Sequence, residues 1–179
     1  RKQGPRRLGI LQQVIVRAAE RSDVPLIRAI AHATWPATYG SILSAEQLAY
    51  MLELMYSEET LVRQINERGH RFLIAYDDGS AVGFAGFETR YGGAHSTQLY
   101  VLPATQGKGI GNALLTVVER SAAECGDERI ELNVNRYNSS KQWYERKGFR
   151  ILRDEVIDIG HGYVMDDHVM VKDVPTATA

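Results

Sequence analysis

At 179 residues, 44% hydrophobic and 24% charged, the chain has the composition of an ordinary globular domain and the length to bury a core without staples. A net charge of −1 excludes the basic footprint of a general nucleic-acid binder, and no run approaches the roughly 18 apolar residues of a membrane span. The single cysteine, Cys125, forms neither an intrachain disulfide nor a zinc site. It is expected to be a small buried residue near a helix end, no metal is expected, and a reducing, cytoplasmic setting fits.

Residues 1–13 (RKQGPRRLGILQQ) are basic but lack the apolar core and small-residue cleavage site of a secretory signal, so they read as an arm or leader before a domain at 14–172 and a tail at 173–179. Val14 to Ala18 alternates as a first strand. Ser22-Asp23 followed by Pro25 is a helix start, and Leu26, Ile27, Ile30 and Ala31 keep the helical period to about Tyr39, with Pro36 expected to bend or end it. Ser44 opens a second helix with Leu48, Met51, Leu52 and Met55 on one face. Ser57-Glu58-Glu59 opens a third, ended by Gly69.

The texture then changes. Arg71 to Tyr76, Ala81 to Arg90 and His95 to Leu102 read as strands of an antiparallel meander, with turns at Asp77-Asp78-Gly79-Ser80 and Tyr91-Gly92-Gly93. A glycine-rich loop leads into a helix from Gly109 to about Glu124, closed by Gly126. Arg129 to Val134 is a strand, Ser139 to Lys147 a short helix stopped by Gly148, and 149–159 and 162–172 are two strands around Gly160-His161-Gly162. This order predicts one α/β domain with a mixed sheet.

The loop Gln106-Gly107-Lys108-Gly109-Ile110-Gly111 has the character of a phosphate cradle, because glycines let backbone N–H groups at a helix start approach an anion. It is not an NTPase loop, since Lys108 is followed by Gly109 where a hydroxyl is needed. It is a poor dinucleotide fingerprint, since Asn112 stands where the third glycine is required.

The loop is similar to the pyrophosphate loop of the GCN5-related N-acetyltransferases, whose pattern is [Q/R]-x-x-G-x-[G/A]. Leu99-Tyr100-Val101 with Pro103 resembles that family's fourth strand, and Trp143-Tyr144-Glu145-Arg146-Lys147-Gly148-Phe149 resembles its aromatic-Tyr-Glu-Lys-x-Gly-Phe signature. The resemblance covers about residues 14–172. It implies a mostly antiparallel sheet of about seven strands with four to five helices, acetyl-CoA as cofactor, and transfer to an amine. Coenzyme A would then be held by Leu99, Tyr100, Val101, Gln106, Gly107, Lys108, Gly109, Ile110, Gly111, Asn112, Tyr144 and Lys147. The N–H of Val101 would polarise the thioester carbonyl, and Tyr144 would act as general acid, a phenol being protonated at neutral pH.

Two positions depart from the family. Where many members carry Asn seven residues before the tyrosine, this chain has Tyr137, which leaves Asn138 or Ser140 for the cofactor arm. Where members with a side-chain base carry Glu, it has Thr97. His95 on the same strand face is the nearest titratable group, Glu88 on the preceding strand could act through water, and the base stays unassigned. For the acceptor, Trp35 and Tyr39 read either as a packing pair or as site aromatics. Tyr163-Val164-Met165-Asp166-Asp167 reads either as containing a hairpin turn at the aspartates or, through Tyr163 and Asp166, as an acceptor element. The latter resembles spermidine/spermine acetyltransferases of the PaiA type. A polyamine is preferred; a peptide N-terminus, an amino sugar or another small amine stays open, as does a non-catalytic acyl-CoA sensor. A homodimer through terminal strands is what the resemblance suggests for assembly.

Overall fold

A computed structural model describes residues 13–66, 70–90 and 94–175, without the side chains of 89–90 and 94–96. Gly69 and the turn Tyr91-Gly92-Gly93 lie outside the described residues.

The strands are β1 (Val14–Ala18), β2 (Arg71–Asp77), β3 (Ser80–Arg90), β4 (Ala94–Val101), β5 (Arg129–Asn135), β6 (Arg150–Gly160) and β7 (Tyr163–Asp173). They form one sheet in the order β1-β2-β3-β4-β5-β7-β6, antiparallel throughout except for β4 against β5. The helices are α1 (Val24–Tyr39), α2 (Ala45–Tyr56), α3 (Glu58–Asn66), α4 (Ile110–Cys125) and α5 (Ser140–Arg146). No helix among the described residues is long and apolar enough to cross a membrane.

Strand alternation divides the core in two. Phe72, Ile74 and Phe84 face α1–α3 and pack with Ile27, Trp35, Leu52, Tyr56 and Leu61. Leu73, Ala75, Ala85, Phe87 and Val101 face α4 and pack with Ile110, Leu114, Leu115 and Val118. A bulge at Ala75/Tyr76 opposite Val82 lets both Val82 and Ala85 reach the α4 side.

Three expectations are corrected. Pro36 does not end the first helix, which continues through it to Tyr39. Proline removes only the hydrogen bond to the His32 carbonyl; His32, Ala33, Pro36 and Ala37 all face solvent, where water can satisfy that group, while Trp35 and Tyr39 on the other face are buried. Cys125 is exposed rather than buried, because Ala122 already closes the apolar stripe of α4 and Cys125 is its last residue. Asp166-Asp167 is no turn: both lie inside β7, and the hairpin turns at His161 and Gly162, whose φ values are +55° and +77°.

The start of α1 is fixed by charge. Asp23 accepts the Glu20 N–H at 2.8 Å and takes the Arg17 guanidinium on both oxygens at 2.7 and 2.9 Å. The hydrogen bond from Arg17 lowers the Asp23 carboxyl from 3.8 to about 2, against the opposing effect of burial. A depressed folded-state value means that this cluster stabilises the fold above about pH 4 and loses that contribution as pH falls through about 2. Asp23→Ala is expected to lower the unfolding free energy by about 2 kcal/mol at neutral pH. In urea melts the gap to wild type should close as the buffer is taken from about pH 4 to about pH 2.

Candidate active site

The site begins with a short parallel pairing. β4 and β5 are joined only where Ala94–Ser96 face Arg129–Glu131. Beyond that, β4 continues on β3 alone and β5 on β7 alone, and a gap opens between them. Two cavities occupy the gap, about 540 Å³ on the α4 side and about 470 Å³ on the α2 side. They share Tyr39, Thr97, Gln98, Tyr100 and Asn133, so they form one cleft through the sheet.

In the larger cavity, Leu99 and Val101 present backbone to the gap. The Leu102 N–H donates across to the Val82 carbonyl at 2.8 Å, so by alternation the Val101 N–H points the other way, into the cleft. The Gln106 amide donates to the Val101 carbonyl at 3.2 Å. Gly109 caps α4 with φ +80°, a conformation that other residues adopt with strain. The first helical bond runs from the Ala113 N–H to the Gly109 carbonyl, leaving the N–H groups of Ile110, Gly111 and Asn112 without helical acceptors at the positive end of the dipole. At Gly111 a Cβ would stand 3.2 Å from Trp143 Cζ2, close enough that the indole would have to give by a few tenths of an ångström. Among the described lining residues the single charged group is Lys147, whose ammonium lies 5.5 Å from the centre of the Trp143 ring.

The smaller cavity has the opposite character. Glu88, Glu131, Glu155 and Asp167 all line it, with Arg153, His70, Trp35 and Tyr39. Glu131 pairs with Arg129 at 2.8 Å, Glu155 with Arg153 at 3.4 Å, and Glu88 with His70 at 3.3 Å. Asp167 is 3% exposed, has no ion-pair partner among the described residues, and accepts a hydrogen bond from Asn133 Nδ2 at 3.3 Å.

Tyrosines join the two sides. Tyr39 and Tyr100 hydroxyls are 3.2 Å apart, and Tyr56 donates to Gln98 Oε1 at 2.6 Å. Tyr144 is 7% exposed, wedged edge-on between Trp143 and Phe149. Burial pushes the Tyr39, Tyr56, Tyr100 and Tyr144 phenols above their ordinary values, so all four are protonated donors across the working pH range.

The structure brings together Leu99, Tyr100, Val101, Gln106, Gly107, Gly109, Ile110, Gly111, Asn112, Asn138, Ser140, Tyr144 and Lys147 around the larger cavity. Asn138, not the 70% exposed Tyr137, faces it, and its side chain also accepts the Ser140 N–H at 2.9 Å. Lys108 is the exception in the loop: its ammonium turns toward Asp77, 3.9 Å away, and does not line the cavity. Trp35 and Tyr39 are a packing pair with ring centres 4.7 Å apart, yet Tyr39 lines both cavities and Trp35, 1% exposed, backs the smaller one.

Tyr163 and Asp166 line neither cavity. Tyr163 packs on Tyr50, and Asp166 accepts from Arg136 Nε at 2.9 Å. Strand parity sends Asp167 into the cleft instead. His95 sits where β4 is still paired, opposite Ile130 and Thr89, and its side chain lies outside the described residues. Thr97 is buried, its hydroxyl donating to the Gly86 carbonyl at 3.1 Å. Trp143, Asn133 and Asp167 line the cleft without being singled out by the sequence: Trp143 lies within the 143–149 motif, whereas Asn133 and Asp167 reach the cleft only through the pairing of β5 with β7.

Free N–H groups at a glycine-opened helix, beside a strand whose backbone faces the gap, suit an anionic group carried on an extended chain. Residues 41–165 match the acetyltransferase (GNAT) domain, and the chain belongs to the GCN5-related N-acetyltransferase family. An uncharacterized N-acetyltransferase of Mycobacterium tuberculosis is 27% identical over 157 residues, 86% of this chain and 99% of that protein. A spermidine N(1)-acetyltransferase of Thermoplasma acidophilum is 28% identical over 141 residues, 76% of this chain and 88% of that protein. The crystal structure of a PaiA N-acetyltransferase from Thermoplasma acidophilum in complex with coenzyme A superposes with a TM-score of 0.76 at 25% identity, over 90% of this chain and 99% of that one. The protein is an N-acetyltransferase, and its acetyl donor is acetyl-CoA.

The buried phenols give a direct optical check. Tyr144→Phe is expected to leave the phenolate absorbance that develops up to about pH 11 unchanged, because that hydroxyl does not ionise with ordinary tyrosines at about pH 10. Loss of one tyrosine's amplitude in that range would place Tyr144 in contact with bulk water.

Proposed function

We propose that the chain moves the acetyl group of acetyl-CoA directly to a primary amine of a small polycationic molecule, a polyamine by preference. The observation that carries this reading is the division of charge across the cleft. The described lining of the larger cavity holds one lysine and no carboxylate, while the smaller one holds four carboxylates against one arginine, with three aromatic rings, Trp35, Tyr39 and Tyr100. An anionic donor suits the first and a cationic acceptor the second. The spermidine acetyltransferase among the relatives supports the same acceptor class.

In this reading Gln106, Gly107, Gly109, Ile110, Gly111 and Asn112 hold the pyrophosphate by backbone N–H groups and the loop's open faces. Leu99 to Val101, Asn138, Ser140 and Trp143 hold the arm. Acetyl-CoA, when bound, supplies an activated acetyl group as a thioester. The Val101 N–H stabilises charge developing on the carbonyl oxygen, and Tyr144 gives its proton to the departing sulfur. Its raised phenol keeps that proton available until the thiolate forms. Cys125, the protein's one thiol, sits at the far end of a 16-residue helix, about 24 Å from the glycine loop, which supports direct transfer over an acyl-enzyme.

A release assay for coenzyme A over spermidine, spermine, peptides and aminoglycosides tests the reading. Spermidine or spermine should give the highest kcat/KM, and a peptide or aminoglycoside preference would overturn the acceptor class. Tyr144→Phe should lower kcat about 10²- to 10³-fold with acetyl-CoA affinity kept. Gly111→Ala should weaken acetyl-CoA binding about tenfold in calorimetry, since Trp143, which lines the same cavity, must shift to admit the added Cβ. Thr97 alone would allow a sensor that binds acetyl-CoA without turnover, but the family match supports the enzyme. Acetyl label trapped covalently on the protein would exclude direct transfer.

A further inference from the structure

The roles above leave the proton of the incoming amine without a receiver. An alkylammonium ionises near pH 10, so at neutral pH it must lose a proton before its nitrogen can attack. Thr97 cannot take it, being a hydroxyl already engaged with the Gly86 carbonyl.

Of the four carboxylates in the acceptor cavity, three have cationic or imidazole neighbours. Glu131 has Arg129, Glu155 has Arg153 and Glu88 has His70. Asp167 has no ion-pair partner among the described residues, its chain neighbour His168 being tied to Asp154, and is 3% exposed. The Asn133 amide holds one of its oxygens, and no hydrogen bond from a described residue reaches the other. Asn133 lines both cavities, so Asp167 stands next to the strip of wall where donor and acceptor must meet. Tyr39 from α1, which also lines both, is close enough to feel the charge of Asp167.

We propose that Asp167 is the general base of the transfer, oriented by Asn133, and that it receives the acceptor's ammonium and removes its proton. This rests on the acetyltransferase reading above. The Asp167 carboxylate takes one proton from the ammonium, leaving a neutral amine. The nitrogen lone pair forms the N–C bond at the carbonyl carbon held against Val101, the C–S bond breaks, and its electron pair stays on sulfur. Tyr144 protonates that sulfur and recovers the second nitrogen proton, while Asp167 returns the first to solvent. One amide, one thiol and one released proton result.

The surroundings suit a base that an ordinary surface carboxylate would not match. Burial raises the Asp167 carboxyl above its usual value, with Asp166 and Glu155 adding to the effect and Asn133 and His168 opposing it. Asp166 itself is tied to Arg136 on the other face of β7, and His168 to Asp154 at 2.5 Å. Glu88 and Glu131 face the same cavity from β3 and β5.

The test is a pH profile of kcat for Asp167→Asn with spermidine as acceptor, beside wild type and Asp167→Glu. Acetyl-CoA affinity is measured calorimetrically on each. Asp167→Asn should bind acetyl-CoA as wild type does and lose about 100-fold or more in kcat at pH 7. That loss should shrink about tenfold per pH unit as the solution deprotonates the amine itself. Asp167→Glu keeps the charge, and so the fold; it should retain part of the activity with its acidic limb displaced.

An Asp167→Asn with kcat within threefold of wild type would overturn the proposal. So would a raised acceptor KM at unchanged kcat and unchanged pH profile, which would make Asp167 an ammonium anchor. If Asp167→Asn fails to fold, an Asp167→Glu indistinguishable from wild type in kcat and acidic limb overturns it equally. Wild type that binds acetyl-CoA and acetylates no amine overturns the underlying reading and this one together. Wild-type turnover with an indifferent Asp167→Asn removes Asp167 alone.

Discussion

The whole site depends on a parallel ladder that stops after three residue pairs. β4 and β5 are joined at Ala94–Ser96 and Arg129–Glu131 and then separate. Backbone N–H and C=O groups on the facing edges are left without partners where a sheet would normally satisfy them. Such groups are costly unless something else bonds them, so a gap of this kind is stable when water or a ligand occupies it. The Gln106 side chain, donating to the Val101 carbonyl, covers one of these groups. The Val101 N–H stays available in the gap. A fold that completed the pairing would be more regular and would have no place for an extended acyl carrier.

The same gap lets two cavities of unlike charge meet through the sheet. A solvent-facing patch of four carboxylates would be screened and would select weakly. Inside a cleft lined by Trp35, Tyr39 and Met51, the same charges act through a less polar medium, and a cationic acceptor gains more from them. The glycine-opened helix on the other side sees none of these carboxylates in its lining. The sheet separates the two cavities, proposed above to take donor and acceptor, and only the shared strip at Tyr39, Thr97, Gln98, Tyr100 and Asn133 belongs to both.

Local pattern made the fold, and the residues that gather around the larger cavity, readable from the chain. Strand alternation, the caps at Ser44 and Gly126, and the loop from Gln106 to Asn112 are short-range signals, and the elements formed close to where those signals lay. Pro36 misled because the rule against helical proline is set by the missing N–H, while the outcome depends on whether the abandoned carbonyl faces water. The α2-side cavity was readable only in part: Trp35, Tyr39 and Glu88, singled out in the sequence, line it, but the choice between two aspartates was not readable. Asp166 and Asp167 are adjacent and chemically identical in sequence. One strand parity sends the first to Arg136 and the second into the cleft, and that parity is fixed by pairing with a strand more than thirty residues earlier.

The buried polar groups at the junction show where folding and function compete. Tyr39, Tyr100, Tyr144 and Asp167 are all largely removed from water. Apolar residues of similar size would pack there at lower desolvation cost, and a partly satisfied polar cluster is the less stable choice. The tyrosines recover some of that cost from one another, through the contact of Tyr39 with Tyr100 and of Tyr56 with Gln98. Asp167 recovers little, holding a 3.3 Å contact to Asn133. A carboxylate in that position is stabilised most by an arriving cation, so under the proposed reading the group that costs the fold stability is the one that would favour a charged amine in the cleft.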